Sequence, residues 1–131
     1  MIKLNNKGQS LVMFILILPI LLLMFILVVD VGNVLINKQE LDNINYLTIE
    51  YGLDNITNNN LESKLIDMIN INNRNLNEIN VSIEDNKIII TTKKNINGIL
   101  LKGLKILSIE SNYEGYIENN KKIIERVWYY G

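Results

Sequence analysis

The chain has 131 residues and a net charge of −1, with 13 Lys and Arg against 14 Asp and Glu. After any membrane segment that length leaves room for one small domain and not for two. There is no Cys and no His, which excludes a disulfide framework and a thiolate metal site and removes the commonest acid–base group and metal ligand.

Residues 1–8 form a short basic leader with Lys3 and Lys7. Residues 11–29 follow as LVMFILILPILLLMFILVV, nineteen positions without a charge. A helix needs about 20 apolar residues to cross the hydrocarbon core of a bilayer, so a transmembrane helix is predicted over 9–30. Residues 30–50 carry Asp30, Lys38, Glu40, Asp42 and Glu50. Basic residues favour the cytoplasmic side of a membrane segment, which places the N-terminus inside and residues 31–131 outside. The expectation is a single-pass protein of the plasma (inner) membrane with an extracytoplasmic domain. A cleaved secretory signal fits less well. Its apolar region is usually shorter, and the exit Val28-Val29-Asp30-Val31-Gly32 is a poor match to a small-residue cleavage site.

The helix is predicted to continue past the membrane. Val31, Val34, Leu35, Leu41, Ile44, Thr48 and Tyr51 recur at three- and four-residue steps, one apolar stripe of a helix. A single helix over about 9–52 results, with Gly52 as its C-cap. Residues 54–60 (DNITNNN) read as a solvated loop. Asn and Ile are used heavily throughout and Ala is absent, a pattern of AT-rich coding, so the Asn residues carry little functional weight at this level.

A short amphipathic helix is predicted over about 60–70 from Leu61, Leu65, Ile66 and Ile69, with Asn60 as N-cap. The period then changes to 2. Ile79, Val81 and Ile83 alternate with polar residues, Asp85-Asn86 suits a tight turn, and Ile88, Ile90 and Thr92 alternate on the return. That pairing sets Glu84 opposite Lys87 and Val81 opposite Ile90. Residues 97–103 read as a Gly-bracketed apolar turn. A long strand then places Leu107, Ile109, Ser111, Tyr113 and Ile117 on one side. Asn119-Asn120 turns the chain into a fourth strand over 121–130, ending in Trp128-Tyr129-Tyr130. The aromatic end either closes the core edge or forms an exposed patch. The predicted class is α+β, with three or four antiparallel strands laid on the outer half of the long helix.

The sequence nominates no catalytic, cofactor-binding or metal residue and no small-molecule substrate. Glu62 and Asp67 lie on predicted polar faces without a nucleophile–base pairing. Beyond residue 50, ten basic residues stand against ten acidic ones, so no basic field addresses nucleic acid.

The stretch KGQSLVMFILILPILLLMFILVVDVGN resembles the N-terminus of TadE/TadG-like proteins, the pseudopilins of tight-adherence (Flp-type) pilus systems. The matching positions are Lys7, Gly8, Gln9, Pro19, Asp30 and Gly32. The resemblance implies cleavage by a prepilin peptidase after Gly8, leaving Gln9 as the new N-terminus. Its implied partners are that peptidase, a pilus assembly platform with its ATPase, and other pilin subunits. Met13 stands where such sequences usually carry a Glu thought to meet a neighbour's N-terminus, which implies a minor or accessory role rather than that of a main filament subunit. Archaeal class III signals also show a KGQ-like start, but Pro19 and Asp30-Val31-Gly32 favour TadE. The competing reading is an uncleaved anchor that displays a small protein-binding domain.

Overall fold

A computed structural model describes residues 6–73, 75–99 and 107–127. Its first element is the helix α1, Asn6–Asp54, 49 residues and about 74 Å long at 1.5 Å per residue. It starts earlier than expected, crossing Gly8 and Gln9 without a break, with the Ser10 hydroxyl donating to Asn6 O at 3.0 Å. A single Gly costs a helix only about 1 kcal/mol relative to Ala, too little to stop it beside a long apolar run. Pro19 lies inside α1 and the helix continues through it.

The far end of α1 differs from the expectation. Gly52 is a buried helical residue and not a C-cap. A Cβ there would stand 2.6 Å from Ile88 Cδ1 and 3.1 Å from Leu65 Cδ1, so this glycine serves close approach. The helix ends at Asp54, where Asn55 Nδ2 donates back to Tyr51 O at 2.9 Å. Helix α2, Leu61–Asn72, buries Leu61, Leu65 and Ile69 as its period dictates. Asn60 precedes it in the left-handed region and makes no side-chain cap bond.

Four strands follow: β1 Glu78–Glu84, β2 Lys87–Ile96, β3 Leu107–Glu118 and β4 Lys121–Arg126. They form one antiparallel sheet in chain order. Glu84 pairs with Lys87, Ile83 with Ile88 and Val81 with Ile90, the register read from the sequence. Both tight turns are built from consecutive left-handed residues, Asp85 and Asn86, then Asn119 and Asn120. Such turns match the twist of antiparallel strands. An Ala in the left-handed region costs about 1–2 kcal/mol, whereas Gly adopts it freely. Asn86→Ala is therefore expected to lower the urea midpoint by the equivalent of about 1 kcal/mol, and Asn86→Gly to leave it unchanged or higher. β4 pairs Arg126 with Tyr113 and Lys121 with Glu118. Arg74, Lys3, residues 100–103 of the apolar turn and the aromatic end 128–130 lie outside the described residues.

One face of the sheet carries the core. α1 lies across β2 and β3, and α2 packs against β1 and α1. The main cluster joins Ile49 and Leu53 of α1, Leu61, Leu65 and Ile69 of α2, and Val81, Ile88 and Ile90 of the hairpin. A smaller one joins Leu41, Ile96 and Ile109 nearer the apolar run. On β3, Ile109, Ser111 and Gly115 are buried, while Ile117 is exposed. Ile117 lies beyond Gly115, which already meets Ile49 and Leu53 in the last turns of α1.

The predicted helix stripe is corrected in part. Leu41 and Thr48 are buried and Val34 and Ile44 half-buried, but Val31, Leu35 and Tyr51 are exposed. The packed face instead includes Asp30, Asn45, Ile49, Gly52 and Leu53. Three of the buried positions on this face, Asp30, Asn45 and Thr48, are polar, so sorting by apolarity rotated the stripe away from the true seat.

Candidate functional site: the anchor and its seat on the sheet

Two stretches of α1 do different work. In residues 11–29 no side chain is buried by the rest of the chain, and Leu11, Phe14, Leu16, Met24, Phe25 and Val28 each expose more than half of their surface. A core helix of a water-soluble domain would be covered. This stretch is long and apolar enough to cross a membrane, and its exposure is what a lipid-facing helix requires. Met13 and Pro19 lie on this uncovered length, and Gln9 is exposed at its start. Pro19 removes the amide that would donate to Ile15 O, which locally loosens the helix. Gly8 is half-buried.

Asp30 ends the apolar run and is 3% exposed. Its carboxylate Oδ1 accepts the backbone N–H of Ile99 at 2.8 Å. The chain leaving β2 thus reaches back to the end of the apolar run of α1. Gly32 contrasts with this. A Cβ there would meet nothing within 4 Å, and the residue borders a shallow apolar groove with Leu27, Val28, Val31 and Leu35. The structure brings Asp30 together with the connection after β2 and leaves Gln9, Met13 and Pro19 on the uncovered length of the helix.

Above the exit, α1 grips the sheet through a polar seam that the sequence did not reveal. Asn45, fully buried, donates from Nδ2 to Ser111 O at 3.0 Å and accepts from Thr92 Oγ1 at 3.3 Å. One turn earlier, Asp42 accepts from Ser111 Oγ and from Arg126 Nη2, each at 2.6 Å. Lys38 lies 3.6 Å from Asp42 and donates to Glu110 O. Lys94 Nζ donates to Asn37 Oδ1 at 2.7 Å. The only sequence signal was spacing: Lys38, Asp42 and Asn45 follow helical steps on one flank. The Tyr113 hydroxyl and the Asp42 carboxylate hold the Arg126 guanidinium further toward its charged form.

Other charges decorate the rim. Hydrogen bonding to Glu114 raises the Lys87 ammonium above its ordinary value, and Asp54, 2.5 Å away, does the same for Lys122. Glu78 is held below the usual carboxylate range by Asn80 and then by Lys93. Its contribution is therefore present above that range and fades as pH falls through the lowered value. These pairs are solvent-exposed, and such pairs add little stability.

Among the described residues no group of three His, Cys, Asp or Glu is placed to hold a metal ion. Glu62 and Asp67 both lie on the exposed face of α2. The arrangement offers an unburied apolar helix and a small domain locked to its outer half.

Residues 8–44 match the model of the TadE-like protein family. This segment is similar to TadE-like proteins. The match opens on Gly8, spans the whole apolar run with Pro19, Asp30 and Gly32, and ends at Ile44 inside the polar seam. The matched segment thus covers the apolar run and the first half of the helix seat, while α2 and the sheet lie outside it. No curated protein and no solved structure matches the chain. TadE-like proteins belong to pilus assembly and not to an enzyme family.

Proposed function

We propose that the chain is a minor or accessory pseudopilin that takes part in assembling or initiating a Tad/Flp-type surface pilus, serving adhesion or secretion. The observation that carries this reading is the family match beginning at Gly8 and covering the apolar helix. The mechanism is structural. Residues 9–30 hold the subunit in the inner membrane, with the leader 1–8 in the cytoplasm and 31–131 outside. A prepilin peptidase cuts between Gly8 and Gln9. The subunit then meets the assembly platform and other pilins through its helix, and Pro19 gives that helix a point of bending on extraction. Met13 in place of an acid removes the carboxylate that would meet a neighbour's N-terminus, which supports an accessory place over the main filament.

α1 is helical through Gly8, so cleavage requires the first turns to unwind. That geometry also favours the second reading, an uncleaved anchor displaying a protein-binding domain. N-terminal sequencing of the membrane-fraction protein separates the two. The pseudopilin reading expects a start at Gln9 in cells with an active prepilin peptidase, and an unprocessed precursor for Gly8→Ala. An intact leader in the wild-type protein overturns the processing claim.

A further inference from the structure

We infer that Gly98-Ile99, in the connection leaving β2, rests on the bilayer as a second membrane contact, with the Ile99 side chain at the boundary between acyl chains and headgroups. The inference rests on α1 spanning the membrane.

The height of Ile99 is fixed by Asp30. Residues 11–29 rise about 28 Å at 1.5 Å per residue, close to the roughly 30 Å hydrocarbon thickness, so Asp30 stands at the edge of the hydrocarbon. Side chains of an α-helix tilt toward its N-terminus, and in this orientation that direction is into the membrane. The Asp30 carboxylate therefore lies at or below the level of its own Cα, and it holds the Ile99 amide at 2.8 Å. Ile99 is thereby set at the bilayer surface. Its side chain is 67% exposed, an apolar group at a height where lipid is available to cover it.

Gly98 permits the approach. A Cβ there would stand 2.9 Å from Asp30 Oδ2, 3.0 Å from Cγ and 3.1 Å from Oδ1. The carboxylate is 3% exposed, so it cannot retreat freely. The same contact shields a charge at the membrane edge, where an unsatisfied carboxylate is costly. Water could surround Ile99 only if the domain tilted away, and the seam from Lys38 to Asn45 on the sheet opposes that tilt. The occupant is the outer leaflet of the membrane that already holds α1.

The absence of native Cys makes the test direct. Single variants Leu18→Cys, Ile99→Cys and Glu84→Cys of the full chain are labelled with an environment-sensitive fluorophore. They are reconstituted in phosphatidylcholine–phosphatidylglycerol vesicles containing lipids with a nitroxide near the top of the acyl chain. Glu84 is exposed at the distal hairpin, level with the far end of α1, where Gly52 meets Ile88 of the same hairpin. The label at 99 is expected to be quenched by nitroxide lipid at least half as strongly as at 18, and to resist aqueous iodide. The label at 84 should show the reverse. Adding Gly98→Val to Ile99→Cys should abolish quenching at 99 while quenching at 18 persists. A label at 99 that behaves like the one at 84 overturns the inference while leaving the anchor intact. Undiminished quenching after Gly98→Val also overturns it, because insertion would then come from the dye. Loss of quenching at 18 as well overturns the anchor reading itself.

Discussion

Gly115→Val is expected to detach the sheet from α1 and to cost about 3 kcal/mol or more, at the upper end of what overpacking a tight core costs. Gly115 is buried in β3 between Ile88 of β2 and Ile124 of β4. A Cβ there would overlap Ile49 Cγ2 and would stand 3.3 Å from Leu53 Cδ1. Ile49 is fully buried and has no open space to swing into. A β-branched side chain therefore pushes the helix off the sheet, and the gap runs along the whole seat. A small domain has about 5–15 kcal/mol of stability, so the loss is a large share of the total.

The same contact supplies its own control. Ile49→Ala alone should cost about 2–5 kcal/mol through the cavity it leaves. In the double variant the valine occupies part of that cavity, so the combined loss should fall short of the sum by about 1–2 kcal/mol. Urea titration of the full chain in detergent, followed by the sheet signal and by protease resistance of residues 78–126, measures all four states. Additive losses would show that Gly115 does not face Ile49 as described.

How much of this was legible depends on which physical signal each element carries. The hairpin was legible to the residue, because Val81, Ile83, Ile88 and Ile90 alternate strictly and Asp85-Asn86 tolerates two successive left-handed conformations. The apolar run was legible because nothing but length and hydropathy defines it. The seat of α1 was not. Its buried face contains Asp30, Asn45 and Thr48, which a reading by hydrophobicity assigns to solvent, while Leu35 and Tyr51 look like core and are exposed. Dismissing the Asn residues as coding bias hid Asn45 in particular. Gly52 looked like a stop because glycine ends helices more often than it packs inside them. The contact between Asp30 and the Ile99 amide joins residues 69 positions apart, and no local pattern announces it. Of the residues nominated around the apolar run, Asp30 acquires a partner from the connection after β2. Gln9, Met13 and Pro19 stay on exposed helix.

Asn45→Ala is expected to cost about 2–3 kcal/mol, a large effect for a side chain that a hydrophobic reading places in water. The substitution strips two groups of their partners at once: the Ser111 carbonyl loses a donor, and the Thr92 hydroxyl loses its acceptor. Thr92 and Ser111 are both fully buried, so water does not replace the lost bonds and the desolvation penalty is felt in full. Asn45→Leu should also destabilise, since it fills the volume but leaves the Thr92 hydroxyl unpaired. Adding Thr92→Val to Asn45→Leu removes donor and acceptor together and should recover most of the loss. What it should not recover is register. Leu41, Asn45, Ile49 and Leu53 are buried at successive four-residue steps on the packed flank of α1, so along this row a slide of one turn would exchange apolar for apolar except where Asn45 leaves one seat and enters another. Making that position apolar leaves Asp42 with Ser111 and Arg126 as the nearest polar register contact, beside the Lys38–Glu110 and Lys94–Asn37 bonds further along the seam. A third change, Asp42→Ala, in the Asn45→Leu/Thr92→Val background should therefore broaden the unfolding transition and raise protease sensitivity well beyond its effect in the wild-type chain. If Asn45→Leu alone matches the wild type in urea midpoint, the buried amide is not what seats the helix.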